Sequence, residues 1–180
     1  TGLASNYNLT TGTFDITQRW VTLSGTRSYD GTTTAASSDL TISNLVTGET
    51  LGLTGNGTVA SKNVGSNKAI TDVSLTLTDG SGLAANYTIG TKTFNITQQA
   101  ISIDGSKVYD GNTTVAAANI STFNGLALTE TLTISGSGTV TTPQVGTNKT
   151  VTLGTLALAD GTNGGEASNY SLASGTFDVT

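Results

Sequence analysis

The most constraining feature of this sequence is an internal repeat of about 80 residues. The segment ASNYNLTTGTFDIT at 4–17 recurs as AANYTIGTKTFNIT at 84–97 and as ASNYSLASGTFDVT at 167–180. A second segment, SGTRSYDGTTTA at 24–35, recurs as DGSKVYDGNTTVA at 104–116. Self-similarity at a fixed period is typical of a duplicated structural unit. We therefore expect a tandem array rather than one large domain.

The repeat predicts where the units begin and end. We place a first repeat at 18–97 and a second repeat at 98–180, and we interpret 1–17 as the terminal strand segment of a preceding repeat. A permuted division, with units that start near Thr1 and Leu83, fits the spacing almost as well. Because the chain begins without an initiator methionine, we expect it to be an excerpt of a longer protein.

The phase of the apolar residues favours the first division. Phe94 and Ile96 occupy even positions, whereas Ile101 and Ile103 occupy odd ones. A shift of one residue moves a side chain to the opposite face of a strand, so the chain changes the face it buries near Gln98. A β-segment that leaves one core and enters the next behaves in this way. The alternative is a β-bulge inside a single domain.

The residue types predict an all-β fold. Thr, Val, Ile, Tyr and Phe alternate with polar residues, as is typical of pleated strands, and Gly, Asn and Asp supply turns. Helical turns are expected at 33–39 and 113–119 alone. We predict two tandem small β-sandwich (Ig-like) units in an elongated arrangement, with β-grasp-like units as the alternative. Strands of the first repeat are expected at 18–27, 40–45, 51–60, 68–78 and 87–97.

The composition excludes several classes of protein. The 180 residues include no Cys and no His, which excludes zinc-finger and haem sites, a cysteine nucleophile and a Ser-His-Asp triad. Seven Lys and Arg against twelve Asp and Glu give a net charge of −5, whereas nucleic-acid binding needs clustered positive charge. No apolar run is long enough to span a membrane. We therefore expect no nucleic-acid partner and no membrane insertion.

Two short motifs occur once in each repeat, Tyr-Asp-Gly near its start and Asn-Tyr near its last strand. We interpret Tyr-Asp-Gly as a turn in which Asp accepts backbone hydrogen bonds, Gly takes a positive φ, and Tyr packs its ring into the core. A ligand or cation site is the alternative. A motif copied into every unit is expected to determine the fold. The residues are Tyr29, Asp30, Gly31, Tyr109, Asp110 and Gly111 for the first motif, and Asn86, Tyr87, Asn169 and Tyr170 for the second.

Three carboxylates are duplicated and are candidates for catalysis or metal binding. A glycosidase pair needs a cleft between two carboxylates, and a unit of this size leaves little volume for one. Calcium needs oxygen ligands, which are plentiful, but no DxDxDG loop is present. We therefore expect no enzyme and no cofactor, with calcium as the alternative. The residues are Asp30, Glu49 and Asp79, with Asp110, Glu130 and Asp160 as their counterparts.

Lys68 and Lys149 occupy the same place in the two repeats. We expect ordinary lysines at a strand end above an acidic surface. The alternatives are a buried ion pair with an aspartate, or an isopeptide crosslink to an asparagine or aspartate, assisted by Glu49 or Glu130. Trp20 has no aromatic counterpart in the second repeat, so it is not required by the fold. We expect it to contact the preceding unit, with sugar stacking on an exposed indole as the alternative.

These motifs together resemble a known family. KVYDGNTT, a GETL-like stretch, VG[ST]NK and the closing NYxL…GTFxIT are similar to the YDG-type repeat of bacterial surface proteins and to the related MBG-type repeats. The resemblance covers nearly the whole chain, and Arg27-Ser28 in place of Lys107-Val108 is a mild departure from it. It implies tandem arrays in very large filamentous-haemagglutinin-like adhesins that are exported by two-partner secretion, and it defines no catalytic residues.

The resemblance and the repeat together predict a structural role. We expect an extracellular stalk segment of a bacterial adhesin that spaces or presents a binding domain for cell adhesion, aggregation or biofilm formation. Its partners are expected to be neighbouring repeats of the same chain, with glycans or host surfaces bound through other domains. The isolated chain is expected to be a monomer. The alternative function is a carbohydrate- or mucin-binding module that uses Trp20 or loop residues.

Overall fold

The computed structural model describes the backbone of residues 1–180 and every side chain except those of Asp72 and Val73. Strands dominate both repeats, and the helical segments of the described chain are 3-10 turns of three residues, none long or apolar enough to cross a membrane. The strands of the first repeat are β1 (Arg19–Ser28), β2 (Thr34–Ala36), β3 (Leu40–Ser43), β4 (Leu51–Thr54), β5 (Asn56–Val59), β6 (Gly65–Val73), β7 (Thr76–Asp79) and β8 (Tyr87–Thr97). Those of the second repeat are β9 (Gln99–Lys107), β10 (Thr114–Ala116), β11 (Ile120–Asn124), β12 (Leu132–Ser135), β13 (Ser137–Val140), β14 (Gly146–Thr152), β15 (Ala157–Asp160) and β16 (Tyr170–Val179).

Each repeat forms one six-stranded mixed sheet and one two-stranded ribbon. The first sheet has the order β2-β5-β6-β8-β1-β3, and its ribbon pairs β4 with β7. The second sheet has the order β10-β13-β14-β16-β9-β11, and its ribbon pairs β12 with β15. Within each sheet the first and last strands of the repeat lie side by side in parallel, and the other pairs are antiparallel. The prediction of two tandem all-β units is confirmed. Each unit pairs a large sheet with a small ribbon, whereas a sandwich has two sheets of comparable size.

Alternating apolar residues place one face of each sheet in a core. Val21 and Leu23 are buried on β1, and Phe94 and Ile96 are buried on the neighbouring strand β8. The alternation has a period of two because successive side chains of a strand point to opposite faces. At Gln98 the chain leaves β8 of the first sheet and enters β9 of the second without a linker. The change of apolar phase in the sequence lies at this residue.

Two predicted strands are each divided in the structure. The predicted strand at 51–60 divides at Gly55 into β4 and β5, and the one at 68–78 divides into β6 and β7. Gly55 has a φ of 84°, and a Cβ there would lie 2.2 Å from the carbonyl oxygen of Ser74. Only glycine fits this close approach, which sends β4 to the ribbon and β5 to the large sheet. Both predicted helical segments become a short strand, β2 or β10, followed by a single 3-10 turn.

Residues 1–17, predicted as the terminal strand of a preceding repeat, form no strand in this structure. Apart from a 3-10 turn at Ala4–Asn6 they have no regular secondary structure, and Phe14 and Ile16 are exposed. Their counterparts Phe177 and Val179 are buried on β16. The last strand of a repeat is held between the first strand and a third strand of its own sheet. Residues 1–17 have neither neighbour here, and an extended chain without them gains no ladder of hydrogen bonds.

Candidate functional site

The two repeats meet at a joint that the side chain of Tyr29 crosses. Tyr29 follows β1, and its backbone N–H donates to the carbonyl oxygen of Thr97 at 2.9 Å, which fixes its loop beside the end of β8. Only 2% of Tyr29 is exposed. Its hydroxyl donates to Oε1 of Glu130, in the second repeat, at 2.6 Å. The tyrosine of the first Tyr-Asp-Gly motif therefore makes a buried hydrogen bond between the repeats.

Glu130 lies at the centre of the joint, where it is 5% exposed. Tyr170 donates to its Oε2 at 2.6 Å, and Nζ of Lys62 lies 2.5 Å from its Oε1. The backbone N–H of Ala127 donates to the hydroxyl oxygen of Tyr170 at 3.0 Å, which leaves the hydroxyl hydrogen free to point at the carboxylate. Tyr29 and Lys62 belong to the first repeat and Tyr170 to the second. One carboxylate therefore binds side chains from both repeats.

These contacts keep Glu130 charged despite its burial. Burial alone raises the pKa of a carboxyl group, because water no longer solvates the charge. Hydrogen bonds from Lys62, Tyr170 and Tyr29 outweigh that effect and hold the pKa of Glu130 below its usual value. Burial and the bond to the carboxylate raise the pKa of Tyr170 to about 12, so its hydroxyl stays protonated and donates. A buried carboxylate is tolerated when a cation and hydrogen-bond donors satisfy it in this way.

A second group of polar contacts lies beside the carboxylate. Asn169, which is 0% exposed, accepts a hydrogen bond from the backbone N–H of Val64 at 2.9 Å. Its Nδ2 donates to Oδ1 of Asn63 at 3.1 Å, and Nδ2 of Asn63 donates to Oε2 of Glu166 at 2.8 Å. Asn63 and Val64 belong to the first repeat, whereas Asn169 and Glu166 belong to the second. The asparagine of the closing Asn-Tyr motif thus holds the loop of the preceding unit.

The apolar core is continuous through the joint. The rings of Tyr29 and Tyr170 meet edge to face, with centroids 5.4 Å apart and planes at 79°. Through these rings the buried cluster of the first repeat continues to Ile101, Ala127 and Leu132 of the second. Aromatic pairs of this geometry contribute beyond the area that they bury. The joint therefore combines hydrophobic burial with directional hydrogen bonds.

The other residues of the first Tyr-Asp-Gly motif shape the same loop. Asp30 accepts a hydrogen bond from the backbone N–H of Thr32 at 2.8 Å and pairs with Arg27. Gly31 has a φ of 79°, and a Cβ there would lie 2.9 Å from Cδ1 of Leu128 in the second repeat. A side chain at this glycine would therefore be strained and would also press on the neighbouring unit. The motif was predicted as a turn with its tyrosine in the core, and the structure places that tyrosine between two units.

A sequence profile of the YDG domain matches the chain twice, over residues 16–95 and 91–177. The chain belongs to the YDG domain family. No curated protein and no solved structure matches it. The loops at 29–31 and 109–111 are called the YDG loops below, and the two matched regions correspond to the two sheets.

The second YDG loop has the backbone of the first and a different environment. Gly111 has the same φ of 79°, but no described heavy atom lies within 4 Å of the position that a Cβ would take there. Tyr109 is 53% exposed, and its backbone N–H donates to the carbonyl oxygen of Thr180 at 2.8 Å. Asp110 accepts a hydrogen bond from Lys107 at 2.8 Å, which lowers the pKa of its carboxyl group. The loop is thus formed before any unit packs on it.

The first YDG unit carries its own copy of the carboxylate site. The hydroxyl of Tyr87 donates to Oε2 of Glu49, and it accepts from the backbone N–H of Val46 at 3.2 Å. The bond to Glu49 raises the pKa of Tyr87. Asn86, the counterpart of the fully buried Asn169, is exposed. In each unit the duplicated glutamate thus binds the tyrosine of the Asn-Tyr motif.

The duplicated lysines do not meet the duplicated glutamates. Lys68 and Lys149 each place Nζ near an oxygen of the loop before their own strand, at 3.3 and 3.2 Å respectively. Among the described side chains the ion pair of Glu130 is made by Lys62, and neither duplicated lysine has an ion pair. In the part of the chain that the structure describes, no hydrogen bond or ion pair joins Lys68 or Lys149 to Glu49 or Glu130.

The remaining candidates lie apart from the joint. Asp79 and Asp160 accept hydrogen bonds from backbone N–H groups at 2.7 and 2.8 Å, where each holds the 3-10 turn before the Asn-Tyr motif. The described residues hold no group of three or more acidic side chains that could bind a metal ion. Trp20 is 67% exposed, and its indole lies over Gly90, where a Cβ would approach Cε3 to 2.8 Å. Asp79 and Asp160 therefore shape single units, and the expected contact of Trp20 with a preceding unit stays a prediction.

Three residues of the joint were not predicted from the sequence. Lys62, Asn63 and Glu166 were missed because they have no counterparts of the same type in the other repeat. The position of Lys62, for example, is occupied by Pro143 in the second repeat. A comparison of the chain with itself selects residues that recur. A residue found in one copy alone gives no signal in such a comparison, even when it binds the carboxylate.

Proposed function

We propose that this chain is a structural stalk segment of a secreted or surface-attached bacterial adhesin. Its YDG repeats space or present a binding domain for cell adhesion, aggregation or biofilm formation. Two matches to one family in a single chain support a tandem array. In this proposal the protein is extracellular, works without catalysis or a cofactor, and has neighbouring repeats of the same chain as its main partners.

The observation that carries the proposal is Glu130, a buried carboxylate that binds side chains of both repeats. Tyr29 and Lys62 reach it from one side and Tyr170 from the other. Hydrogen bonds are directional, so a rotation of one unit against the other breaks several of them at once. The charge would then remain buried without its partners, at a cost of several kcal/mol. This cost favours one orientation of the two units.

The connection between the units supports the same conclusion. β8 ends at Thr97 and β9 begins at Gln99, so one residue separates the two sheets. The sequence has no flexible linker of Gly and Ser at this junction. Nε2 of Gln98 donates there to the carbonyl oxygens of Ser168 and Tyr170, at 3.1 and 3.0 Å. A short joint with side-chain contacts keeps successive units at a fixed spacing. A spacer needs that property.

Small-angle scattering of wild-type and Glu130→Ala chains tests the stiffness of the joint. We expect an elongated two-body particle for the wild type. For Glu130→Ala we expect a broader range of inter-unit distances, because the centre of the joint is lost. Glu49→Ala is the matched control, since Glu49 makes the same contact with a tyrosine inside one unit. A compact globule, or a wild-type scattering curve that Glu130→Ala leaves unchanged, contradicts the stalk model.

Labelling of intact bacteria tests the proposed location. Antibodies raised against this chain are expected to label unpermeabilised cells that make the full protein, or to detect it in the medium. An antibody against a cytoplasmic protein serves as the control for lysis. Labelling that requires permeabilised cells contradicts an extracellular stalk.

The exposed indole of Trp20 favours a carbohydrate-binding module as the second candidate. An exposed aromatic face on a strand can stack on a sugar ring, and Trp20 lies on β1 with most of its surface in water. A glycan array with the full chain tests this function. Binding that is lost in Trp20→Ala and kept in Leu83→Ala, another exposed apolar residue, supports it. An array without any bound glycan contradicts it.

A further inference from the structure

The first repeat presents an unoccupied copy of the surface that receives Tyr29 in the second. A cleft of about 460 Å³ opens beside Glu49, and residues of both the first strand and the Asn-Tyr turn line it. The second repeat, at the other end of the chain, presents the exposed YDG loop around Tyr109. We propose that these are the two halves of one joint, and that the cleft binds the second YDG loop of another copy of this chain. The inference rests on the proposed function, because it extends the same head-to-tail contact.

The cleft has the hydrogen bonds of the occupied site. Val46 and Ala127 are equivalent, and each donates its backbone N–H to the tyrosine hydroxyl, at 3.2 and 3.0 Å respectively. In both repeats that hydroxyl donates to Oε2 of the duplicated glutamate. Oε1 of Glu130 accepts the incoming Tyr29, whereas Oε1 of Glu49 makes no hydrogen bond to a described residue. The cleft therefore has a carboxylate oxygen available for a phenol.

The turn that frames the cleft is also formed in advance. Nε2 of Gln18 donates to the carbonyl oxygen of Ala85 at 3.0 Å, as Nε2 of Gln98 does to that of Ser168 at 3.1 Å. A site that is already in its bound shape loses little conformational entropy when a ligand enters. The exposed Asn86 stands where Asn169 binds the backbone of the incoming loop. Its amide is available for the same contact.

The incoming loop is equally preformed in the second repeat. The backbone N–H of Tyr109 donates to the carbonyl oxygen of Thr180 at 2.8 Å. The backbone N–H of Tyr29 makes the equivalent bond to the carbonyl oxygen of Thr97 at 2.9 Å. Val108, next to Tyr109 in the sequence, and Val145, the counterpart of Val64, are also exposed, at 76% and 66%. Exposed apolar residues that cluster around a polar motif mark an interaction surface. The same surface is covered in the first repeat, where Val64 packs against the continuous core.

Charge decides which loop fits the cleft. In the occupied joint the cation comes from the incoming unit, as Lys62, and the receiving unit has Gln99 at the start of its first strand. The cleft has Arg19 in place of that glutamine. Arg19 and Glu49 both line the cleft, and the guanidinium of Arg19 donates to the carbonyl oxygen and Oδ1 of Asn44. The second repeat has Pro143 in place of Lys62. A receiving unit with its own cation therefore matches an incoming unit without one, so that each joint would contain one cation.

Residues 1–17 must move aside for a second copy to dock. Ile16 and Thr17 lie at the edge of the cleft, but they form no strand there. Val179 and Thr180 of the incoming copy would take their place, since these residues end the corresponding strand. Removal of residues 1–17 is therefore expected to leave the association unchanged or to strengthen it. Both sheets lie within residues 19–179, so a chain that starts at Gln18 retains them.

Disulfide trapping between single-cysteine variants tests the docking directly. The chain has no native cysteine, which makes each introduced thiol unique. Val64 and Asn169 touch in the occupied joint, so Val145 and Asn86 are the equivalent pair between copies. We expect a mixture of Val145→Cys and Asn86→Cys to form a crosslinked dimer under mild oxidation. Each variant alone, and Asn86→Cys mixed with the exposed Thr122→Cys, should give little dimer.

Sedimentation at increasing concentration measures the strength of the contact. We expect Tyr109→Phe to weaken self-association roughly 10- to 100-fold, because it removes a hydrogen bond to a carboxylate. Glu49→Gln should weaken it as well. Tyr29→Phe is the control, because Tyr29 already lies in the internal joint and should leave the association constant unchanged.

Each of the following results overturns the docking proposal: a chain that stays monomeric at every concentration, crosslinks that form equally well with Thr122→Cys, or self-association that Tyr109→Phe leaves intact. Association that disappears when residues 1–17 are removed also overturns it, since it then depends on exchange of that segment between copies. A stiff, elongated monomer overturns the docking and leaves the stalk proposal standing, whereas a flexible internal joint counts against the stalk itself.

Discussion

The same tyrosine occupies two environments in this chain, which provides an internal control for the energy of the joint. Tyr29→Phe removes one hydroxyl that lies 2.6 Å from Oε1 of Glu130, and it leaves the ring and its contact with Tyr170 in place. Tyr109→Phe removes the equivalent hydroxyl from a residue that is 53% exposed. The difference between the two variants isolates the hydrogen bond across the joint, because motif, substitution and loop backbone are the same.

The expected magnitudes follow from burial and charge. A hydrogen bond to a charged group contributes about 1.5–3 kcal/mol, and at 2% exposure no water replaces the lost hydroxyl of Tyr29. We therefore expect Tyr29→Phe to lower the free energy of unfolding by about 2 kcal/mol. The hydroxyl of Tyr109 is free to bond to water in both the folded and the unfolded chain. Tyr109→Phe should stay within about 0.5 kcal/mol of the wild type.

Urea unfolding followed by circular dichroism measures both values, in solutions dilute enough to keep the chain monomeric. A double variant, Tyr29→Phe with Glu130→Gln, should lose less than the sum of the two single variants, since both remove the same contact. If Tyr29→Phe unfolds at the same urea concentration as Tyr109→Phe, the hydrogen bond at the joint contributes nothing. The account of Glu130 as the centre of the joint is then wrong.

Three further predictions concern the same joint. The pKa of Glu130 is lowered in the folded chain, so the charged carboxylate stabilises the fold fully at a pH above its ordinary pKa of 4.5. This stabilisation is lost as the pH falls through the lower pKa of the folded chain. Acid unfolding of Glu130→Gln should lack this component. Lys62→Met should lower the free energy of unfolding in urea by about 2 kcal/mol, which is less than for a fully buried ion pair because Lys62 is partly exposed. Lys68→Met, the control, should cost under about 0.5 kcal/mol. Equal losses would contradict the pairing of Lys62 with Glu130. Gly31→Ala should cost more than Gly111→Ala in thermal unfolding. Both substitutions incur about 1 kcal/mol of backbone strain at positive φ, and Gly31 alone also meets the second repeat. Equal costs, or the reverse order, would show that the units do not touch there.

Local patterns in the sequence predicted much of the fold. The alternation of apolar residues indicated strands, and the change of phase at Gln98 marked the point where the chain passes between sheets. The order of strands was beyond such reasoning, because β1 and β8 pair in parallel across a large separation in sequence. The sequence around Gly55 does not identify the partner of its close approach, because Ser74 lies between β6 and β7, elsewhere in the chain. Patterns within a segment cannot indicate contacts made by distant segments.

The joint was predicted in part. Duplication selected Tyr29, Glu130 and Tyr170, each as a residue of its own unit, but nothing in their spacing shows that they meet at one carboxylate. The opposite exposures of Tyr29 and Tyr109 show why. Two copies of one motif have the same local chemistry, and their burial depends on whether another unit lies against them. That information belongs to the assembly of units and is absent from either repeat alone.

The parallel pairing of the first and last strands determines how a unit responds to tension. Arg19 pairs with Tyr87 at one end of the pair, and Ser28 pairs with Thr97 at the other. The chain therefore enters a unit at the start of β1 and leaves it at the end of β8, on the opposite side. A pull on the two ends acts along the strands, so that their hydrogen bonds are sheared together instead of opening one after another. A tethered array of such units would extend under flow or traction as a series of stiff elements, each resisting rupture with a whole strand length at once.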